Sequence, residues 1–175
     1  RQTGEEAVIA IAAISSENRE YLPCGLLPKG TIITNKCFAI FDAPLWNMAL
    51  IASRLHWVWI GTVCVRMRTD FSYSNTLGWN TFPVPKLTEQ NKADLTRCAE
   101  DILLAREAHF PATIADLYEV KDGENKMPEN LRHAHERNDE VLERIYIGRR
   151  FKNFFFKDAA TTEIYTRMTG VKVAA

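Results

Sequence analysis

The segment "PLWNMALIASRLHWVWIGTVCV", residues 44–65, is nearly apolar throughout. Its length raises the question of a membrane, since a transmembrane helix needs about 20 apolar residues. Arg54 and His56 lie at its centre, where a charge costs about 2.5–3.5 kcal/mol even on the permissive insertion scale. Trp57 and Trp59 are two residues apart and so face different sides of a helix. The segment therefore predicts one buried helix over residues 44–64, covered on more than one face, and no membrane span.

The chain before this helix has the composition of β-strands. "AVIAIAAIS", residues 7–15, and "TIITNKCFAIF", residues 31–41, are rich in β-branched and apolar residues. Polar stretches such as "SSENRE" and "PKG" separate the apolar segments and supply turns. A small, mostly antiparallel sheet is predicted, with the apolar helix packed on it.

The chain after Leu87 predicts helices. Thr88 is a suitable N-cap for a helix that ends before Pro111, and Pro128 opens a second helix. A short helix within residues 111–120 and a polar turn at 121–126 connect them. Apolar side chains recur at three- and four-residue steps in both long helices: Leu95, Cys98, Ile102 and Ala105 in the first, and Leu131, Ala134, Val141, Leu142 and Ile145 in the second, where Asn138 interrupts the stripe. We expect residues 88–150 to form a helical unit packed on residues 44–64, with one or two final helical turns around 163–168.

Composition limits the classes of function. The chain has 175 residues, 46% hydrophobic and 25% charged, which is ordinary for a folded protein. Its formal net charge is zero, unusual for a protein that holds nucleic acid by charge alone. Residues 1–86 carry 8 Lys and Arg against 6 Asp and Glu, net +2, and residues 87–175 carry 14 against 16, net −2. Base reading, however, depends on a few placed side chains rather than on total charge.

Cysteines and the first residue give further expectations. The four cysteines are far apart, which argues against a zinc knuckle or a redox dithiol and favours a reducing cytoplasm. The chain begins with Arg1, with no signal peptide after it, so we expect a fragment of a longer protein. Because no glycine-rich loop follows a strand, no nucleotide or S-adenosylmethionine pocket is expected here, and the isolated chain should neither bind that cofactor nor methylate DNA.

The segment "HAHERND", residues 133–139, resembles a metal or acid–base site. His133 and His135 are two residues apart, however, and point about 200° apart on a helix, whereas a chelating pair needs a three- or four-residue step. The carboxylates Glu136, Asp139, Glu140 and Glu143 are mixed with arginines, as on exposed helices. We expect a solvated helix face, no metal site and no catalytic residue.

The segment "VRMRTDFSYS", residues 65–74, has chemistry suited to base edges. Arg66, Arg68 and Asp70 alternate, so in an extended segment they share one face. An arginine can fork onto guanine O6 and N7 while a carboxylate accepts from cytosine N4, so such a pair could read a G·C pair. Arg66, Tyr73 and Ser74 are neighbouring candidates for DNA contact. The alternative is a surface ion pair worth roughly 0–1 kcal/mol.

The segment "NTFPVP", residues 80–85, looks like a damaged amino-methyltransferase loop, but the order of its residues is wrong. Read with "RTDFSYS" and "MPENLRHAHERNDEVLERIY", and with "REYLPCGLL" and "TIITNKCFAIFDA" upstream, it resembles the C-terminal portion of the MmeI-like class of DNA methyltransferases, the type IIG or IIL restriction-modification proteins. Five segments match in order, to about Phe151; after Asn153 the sequence departs from the family.

The resemblance implies an α+β fragment with two parts. Residues 1–86 would be the C-terminal part of a DNA target-recognition domain and residues 87–175 a helical C-terminal domain. "NTFPVP" would be the exit from the recognition domain, an extended strap in which the prolines cannot pair in a sheet and Asn80 and Thr81 hold backbone. Partners would be duplex DNA and an upstream methyltransferase domain of the same polypeptide. That domain would use S-adenosylmethionine to methylate adenine, in the cytoplasm.

The resemblance also implies base-reading positions. These fall on Lys36, Arg68, Asp70 and Ser72, although the family more often has Lys than Arg at the second of them. No catalytic, cofactor-binding or metal residue is implied in this chain. The alternative function is a helical protein-interaction or scaffold module; a stand-alone hydrolase using His133 or His135 is a remote third.

Overall fold

The computed structural model describes residues 4–147. Its first sheet has the order β3-β1-β4, formed by β1 (Ala7–Ala12), β3 (Cys24–Pro28) and β4 (Cys37–Phe41). Both neighbours are antiparallel to β1, whose Ile9 lies opposite Leu26 and Ile40. The predicted antiparallel sheet is confirmed in its first part, while the second predicted strand is shorter than residues 31–41.

A second small antiparallel sheet has the order β2-β6-β5. It is formed by β2 (Ile14–Ser15), β5 (Arg66–Met67) and β6 (Asp70–Ser72). β2 follows β1 after a single residue, Ala13, so the two sheets are joined directly. We call β2-β6-β5, together with the turn between β5 and β6, the reading sheet, because three of the four candidate base-reading residues lie there: Arg68, Asp70 and Ser72.

The apolar segment forms two helices rather than the single helix predicted. α1 (Trp46–Ile51) and α2 (Arg54–Val63) are separated at Ser53. The Ser53 hydroxyl accepts the His56 N–H at 3.1 Å and donates to the Leu50 carbonyl at 2.6 Å, so a buried serine caps α2 and closes α1. The prediction of a buried segment was correct, since α1 is almost entirely buried and α2 is buried on one side.

The C-terminal region is helical, as predicted. α3 (Glu89–Glu107) begins after Thr88, whose hydroxyl accepts the Asn91 N–H at 3.1 Å, and α5 (Glu129–Ile147) packs on it. The link contains α4 (Ile114–Leu117) and a hairpin of β7 (Val120–Lys121) and β8 (Glu124–Asn125). α3 also packs on α1, so one apolar core continues across residues 86 and 87. The predicted turns at 163–168 lie outside the described residues.

The segment "NTFPVP" is a strap between the reading sheet and α3. A single turn of π-helix, Asn75–Trp79, precedes it, and residues 82–88 are irregular. Thr81 donates its hydroxyl proton to the Leu77 carbonyl, and the Pro83 carbonyl accepts the Tyr146 hydroxyl of α5 at 3.0 Å. The predicted strap and the backbone bond of Thr81 are confirmed, while the backbone contact expected of Asn80 stays a prediction.

Polar side chains of α5 hold the break between α1 and α2. His135 Nδ1 lies 3.0 Å from the Ala52 carbonyl, and Asn138 Nδ2 donates to the Ala49 carbonyl at 2.8 Å. Asp139 Oδ1 accepts the Arg54 N–H at 2.8 Å. α5 thus pairs with backbone groups that the interruption leaves without helical partners.

The prediction of a solvated face at residues 133–139 is therefore wrong for His135 and Asp139. His135 is 0% exposed and stacks on Tyr21 with ring centroids 4.1 Å apart, while Asp139 is 2% exposed. Burial lowers the pKa of His135 to about 3 and raises the pKa of Asp139 to about 8. His133 does face solvent, 3.4 Å from Glu129.

A second polar contact ties the first sheet to the helices. Arg106 of α3, 8% exposed, donates from Nη1 to the Cys24 carbonyl at 2.7 Å and from Nε to the Tyr118 hydroxyl at 3.0 Å. The same hydroxyl lies 2.6 Å from His135 Nε2. β3, α3 and α5 are thereby joined through one buried network. Within residues 4–147 we find no helix of the length and apolar character needed to cross a bilayer.

Candidate nucleic-acid interface

The central candidates lie on a tight hairpin at the edge of the reading sheet. Arg66 lies opposite Phe71 and Met67 opposite Asp70, so Arg68 and Thr69 form a two-residue turn. The prediction that Arg66, Arg68 and Asp70 share one face of an extended segment is wrong. The chain reverses between them, which places Arg68 at the tip and Asp70 on the returning strand.

Arg68 has a φ of 61°, in the left-handed region, and its side chain is exposed. A non-glycine residue there costs roughly 1 kcal/mol or more. A two-residue hairpin turn commonly needs positive φ at its first position, where Gly, Asn or Asp is usual. An arginine at this position presents a guanidinium at the outermost point of the hairpin.

Alternation along β6 separates a buried face from an outward face. Phe71 is 7% exposed and packs under the hairpin against α2, with its ring 4.8 Å from that of Trp57. Its neighbours Asp70 and Ser72 point the other way and are half-buried. The rigid backing of α2 thus fixes the direction of a carboxylate and a hydroxyl that both face outward.

Backbone hydrogen bonds place Lys36 near the end of β6. It is exposed in the turn before β4, and its carbonyl accepts the Ala13 N–H at 2.9 Å. The Ala13 carbonyl in turn accepts the Tyr73 N–H at 2.8 Å. Lys36 and the end of β6 therefore flank the same short connection between β1 and β2, which brings residues 36 and 72 close together despite their separation in sequence.

Arg66 is engaged within the protein. It forms a short ion pair with Glu17, and its guanidinium carbon lies 4.7 Å from the centre of the Phe71 ring. Its side chain remains 49% exposed. These contacts fasten the first strand of the hairpin to the chain that follows β2. The pairing with Glu17 was not predicted from the sequence, because it depends on the sheet register.

Tyr73 and Ser74 do not present side chains suited to the predicted DNA contact. Tyr73 is 4% exposed, its hydroxyl lies 3.2 Å from His56 Nε2, and burial raises its pKa. Ser74 caps the π-helix by accepting the Leu77 N–H at 3.2 Å. Burial also lowers the pKa of His56 to about 3, so its ring is neutral. These residues support the reading sheet from behind.

The remaining candidates are exposed or half-buried and supply both donors and acceptors. Lys36 and Arg68 supply cationic donors, Asp70 an acceptor, and Ser72 a hydroxyl that does both. In the part of the chain that the structure describes, no three His, Cys, Asp or Glu side chains cluster in a way that could hold a metal ion. All four cysteines are free. The set can hydrogen-bond to the edges of bases but includes no activated nucleophile.

Two family models match the chain. Residues 1–86 match the family model for the MmeI target recognition domain, and residues 87–166 match that for the MmeI C-terminal domain. The second match extends beyond Asn153, where the sequence resemblance was expected to stop.

Two relatives are longer than this chain. "DNA methyltransferase A" of Bacillus subtilis (strain 168) is 35% identical over 161 residues, which cover 92% of this chain and 18% of that protein. A solved structure of the type IIL restriction-modification enzyme MmeI in complex with DNA superposes with a TM-score of 0.82 at 28% identity, covering 97% of this chain and 22% of that one. The chain therefore spans less than a quarter of either relative.

Proposed function

Because this chain belongs to the MmeI family of target recognition and C-terminal domains, we propose that it recognises a specific sequence in duplex DNA on behalf of a restriction-modification methyltransferase. The proposal rests on the structure of the reading sheet. Its outward face and hairpin tip hold exposed or half-exposed donors and acceptors, while its other face is fixed on α2. Rigid support of this kind is what discrimination between bases requires.

We assign base reading to Lys36, Arg68, Asp70 and Ser72. A guanidinium at a hairpin tip can enter the major groove and fork onto guanine, and a carboxylate on the adjoining strand can accept from cytosine N4. A two-stranded ribbon is narrow enough for that groove. Arg68 and Asp70 would then contact one base pair from two sides of a turn rather than from one face of a strand.

The two parts of the chain have different tasks in this proposal. Residues 1–86 read the DNA, and residues 87–175 hold the reading unit in place through α3 and α5. The parent polypeptide would carry an upstream methyltransferase domain that uses S-adenosylmethionine to methylate adenine, and it would act in the cytoplasm. Such a protein could grip phosphates through its other domains, which would explain why this chain has no net charge.

The test is a charge exchange within the hairpin. Duplexes selected from a random-sequence pool by the full-length polypeptide that contains this chain would be compared with those selected by its Arg68→Asp/Asp70→Arg variant. We expect the preferred base to change at one position of the selected sequence, with discrimination of about 1–3 kcal/mol there. Binding should weaken as salt is raised, because cationic side chains that contact DNA displace counterions from it.

Glu124 and Lys126 provide a matched control. They are also two residues apart and exposed, and their side chains form an ion pair at 2.5 Å in the hairpin of β7 and β8. The exchange Glu124→Lys/Lys126→Glu should leave the selected sequence unchanged. An identical selected sequence after the Arg68 and Asp70 exchange would refute the base-reading assignment, and salt-insensitive binding to a protein instead of DNA would favour a scaffold module.

A further inference from the structure

We infer that Ile14, Val65 and Met67 contact the C5 edge of pyrimidines, so that the reading sheet senses the methyl group of thymine or of 5-methylcytosine. This inference rests on the proposed function and extends it from hydrogen bonding to apolar contact. It follows from the register of the three strands and from the exposure of these side chains.

The register puts the three apolar side chains on the outward face with the proposed readers. Ile14 lies directly opposite Ser72, and Met67 directly opposite Asp70. One step beyond the Arg66–Phe71 pair of β5 and β6, the Ser72 N–H donates to the Val65 carbonyl at 2.9 Å. Directly opposed side chains in a sheet share a face with Cβ atoms about 4.5–5.5 Å apart. Ser72 is therefore flanked by Ile14 and Val65, and Asp70 by Met67.

These side chains are unusually exposed to solvent for apolar residues in a sheet. Ile14 is 41% exposed, Met67 59% and Val65 71%. Single exposed apolar residues are common on protein surfaces and need no explanation. Here, however, three exposed apolar residues surround Asp70 and Ser72, the two polar side chains of β6. The opposite face of the same strand holds Phe71 in the core.

The arrangement matches the chemistry of a pyrimidine edge in the major groove. Thymine presents its O4 acceptor beside the C5 methyl group, and cytosine presents its N4 donor beside C5. A hydroxyl between two aliphatic side chains can bond O4 or N4 while a neighbour covers C5. A carboxylate beside a methionine can do the same at cytosine. The exposed apolar side chains beside Ser72 and Asp70 thus match one defined part of DNA, the C5 edge of a pyrimidine.

The test uses duplexes that the full-length polypeptide containing this chain has selected from a random-sequence pool. They are remade with deoxyuridine for thymidine, which removes the methyl, and separately with 5-methyldeoxycytidine for deoxycytidine, which adds one. We expect at least one replacement to change the Kd of the wild-type polypeptide by about fourfold, corresponding to about 0.8 kcal/mol for one apolar carbon. The triple variant Ile14→Ala/Val65→Ala/Met67→Ala should lose that response.

Controls separate a contact from a change in the DNA itself. Leu104→Ala removes a similarly exposed side chain, 62% exposed on α3, and should keep the wild-type response. Val65→Thr preserves side-chain shape and should reduce the response without disturbing the fold, which guards against misfolding of the triple variant. Circular dichroism of each variant checks folding.

Each outcome bears on a definite claim. A wild-type Kd that neither replacement changes overturns the inference while leaving sequence-selective binding intact. A change in Kd that persists in the triple variant arises from the DNA itself and also overturns the inference. We would expect this result if another part of the polypeptide covers these side chains. Failure to select any sequence refutes the proposed function, and the methyl contact with it.

Discussion

Replacing Asp139 by asparagine should make the protein less sensitive to pH between 6.5 and 7.5. The carboxyl of Asp139 is 2% exposed and accepts two hydrogen bonds, from the Arg54 N–H at 2.8 Å and from the Tyr21 hydroxyl at 3.0 Å. These donors favour the carboxylate, but burial outweighs them and raises the pKa to about 8. The folded protein therefore keeps a proton on Asp139 near neutral pH.

The sign of the effect follows from this raised pKa. An unfolded aspartate loses its proton near pH 4, whereas the folded one keeps it until about pH 8. The stability contributed by the buried protonated acid is complete below about pH 4 and is lost as the pH rises through 8. One proton corresponds to about 1.4 kcal/mol per pH unit, so Asp139 should remove about 1 kcal/mol of unfolding free energy between pH 6.5 and 7.5.

The buried histidines act in the opposite direction. Their folded-state pKa values of about 3 mean that stability falls as the pH drops toward and below their ordinary pKa near 6.5, and this contribution is common to the wild type and Asp139→Asn. Glu143, whose pKa burial raises to about 7, acts in the same direction as Asp139. Because Glu143 is present in both proteins, its contribution cancels when the wild type is compared with Asp139→Asn.

The assay is urea unfolding at pH 6.5, 7.0 and 7.5. Asparagine has the shape of a protonated aspartate, and its carbonyl can accept the Arg54 N–H while its amide donates to Tyr21. The variant should become more stable relative to wild type by about 1 kcal/mol across this range. Asp101→Asn, at an exposed position of α3, should run parallel to wild type. A stability difference between Asp139→Asn and wild type that does not change with pH would show that Asp139 is ionised in the folded protein.

Two further substitutions test the interruption of the apolar segment and the hairpin tip. Ser53→Ala should lower the unfolding free energy by about 1–3 kcal/mol in urea titrations, because it leaves the buried His56 N–H without its cap; an effect below about 0.3 kcal/mol would contradict that role. Arg68→Gly should leave stability within about 0.5 kcal/mol of wild type or raise it, since glycine accepts positive φ. The same variant should lose base preference at one position in DNA selection, and loss of stability would contradict the turn geometry.

The sequence predicted those features that depend on neighbours along the chain. The periodic positions Leu95, Cys98 and Ile102 are buried in α3, and Thr88 caps that helix. Both properties follow from residues three or four positions apart. The α+β class and the resemblance to the MmeI-like family were likewise available, because they depend on composition and on ordered segments.

Features that depend on distant partners were missed. His135 and Asp139 have the polarity of an exposed helix face, and partners distant in sequence, including the Ala52 carbonyl and the Arg54 N–H more than 80 residues earlier, make their burial favourable. The hairpin at Arg68 and Thr69 was missed because neither residue is a usual turn former. The break at Ser53 had a local signal, a capping residue inside an apolar run, but uniform hydrophobicity concealed it.

The bonds from α5 to the interruption between α1 and α2 have a consequence for exchanging specificity between relatives. A chimera that transfers only residues 4–86 would place the Ala49 and Ala52 carbonyls and the Arg54 N–H against a foreign helix. Unless that helix carries equivalents of His135, Asn138 and Asp139, α2 would lose its anchor and the hairpin above it would lose its orientation. The smallest transferable unit is therefore discontinuous in sequence: the reading sheet, its two supporting helices, and one face of a helix that begins at residue 129.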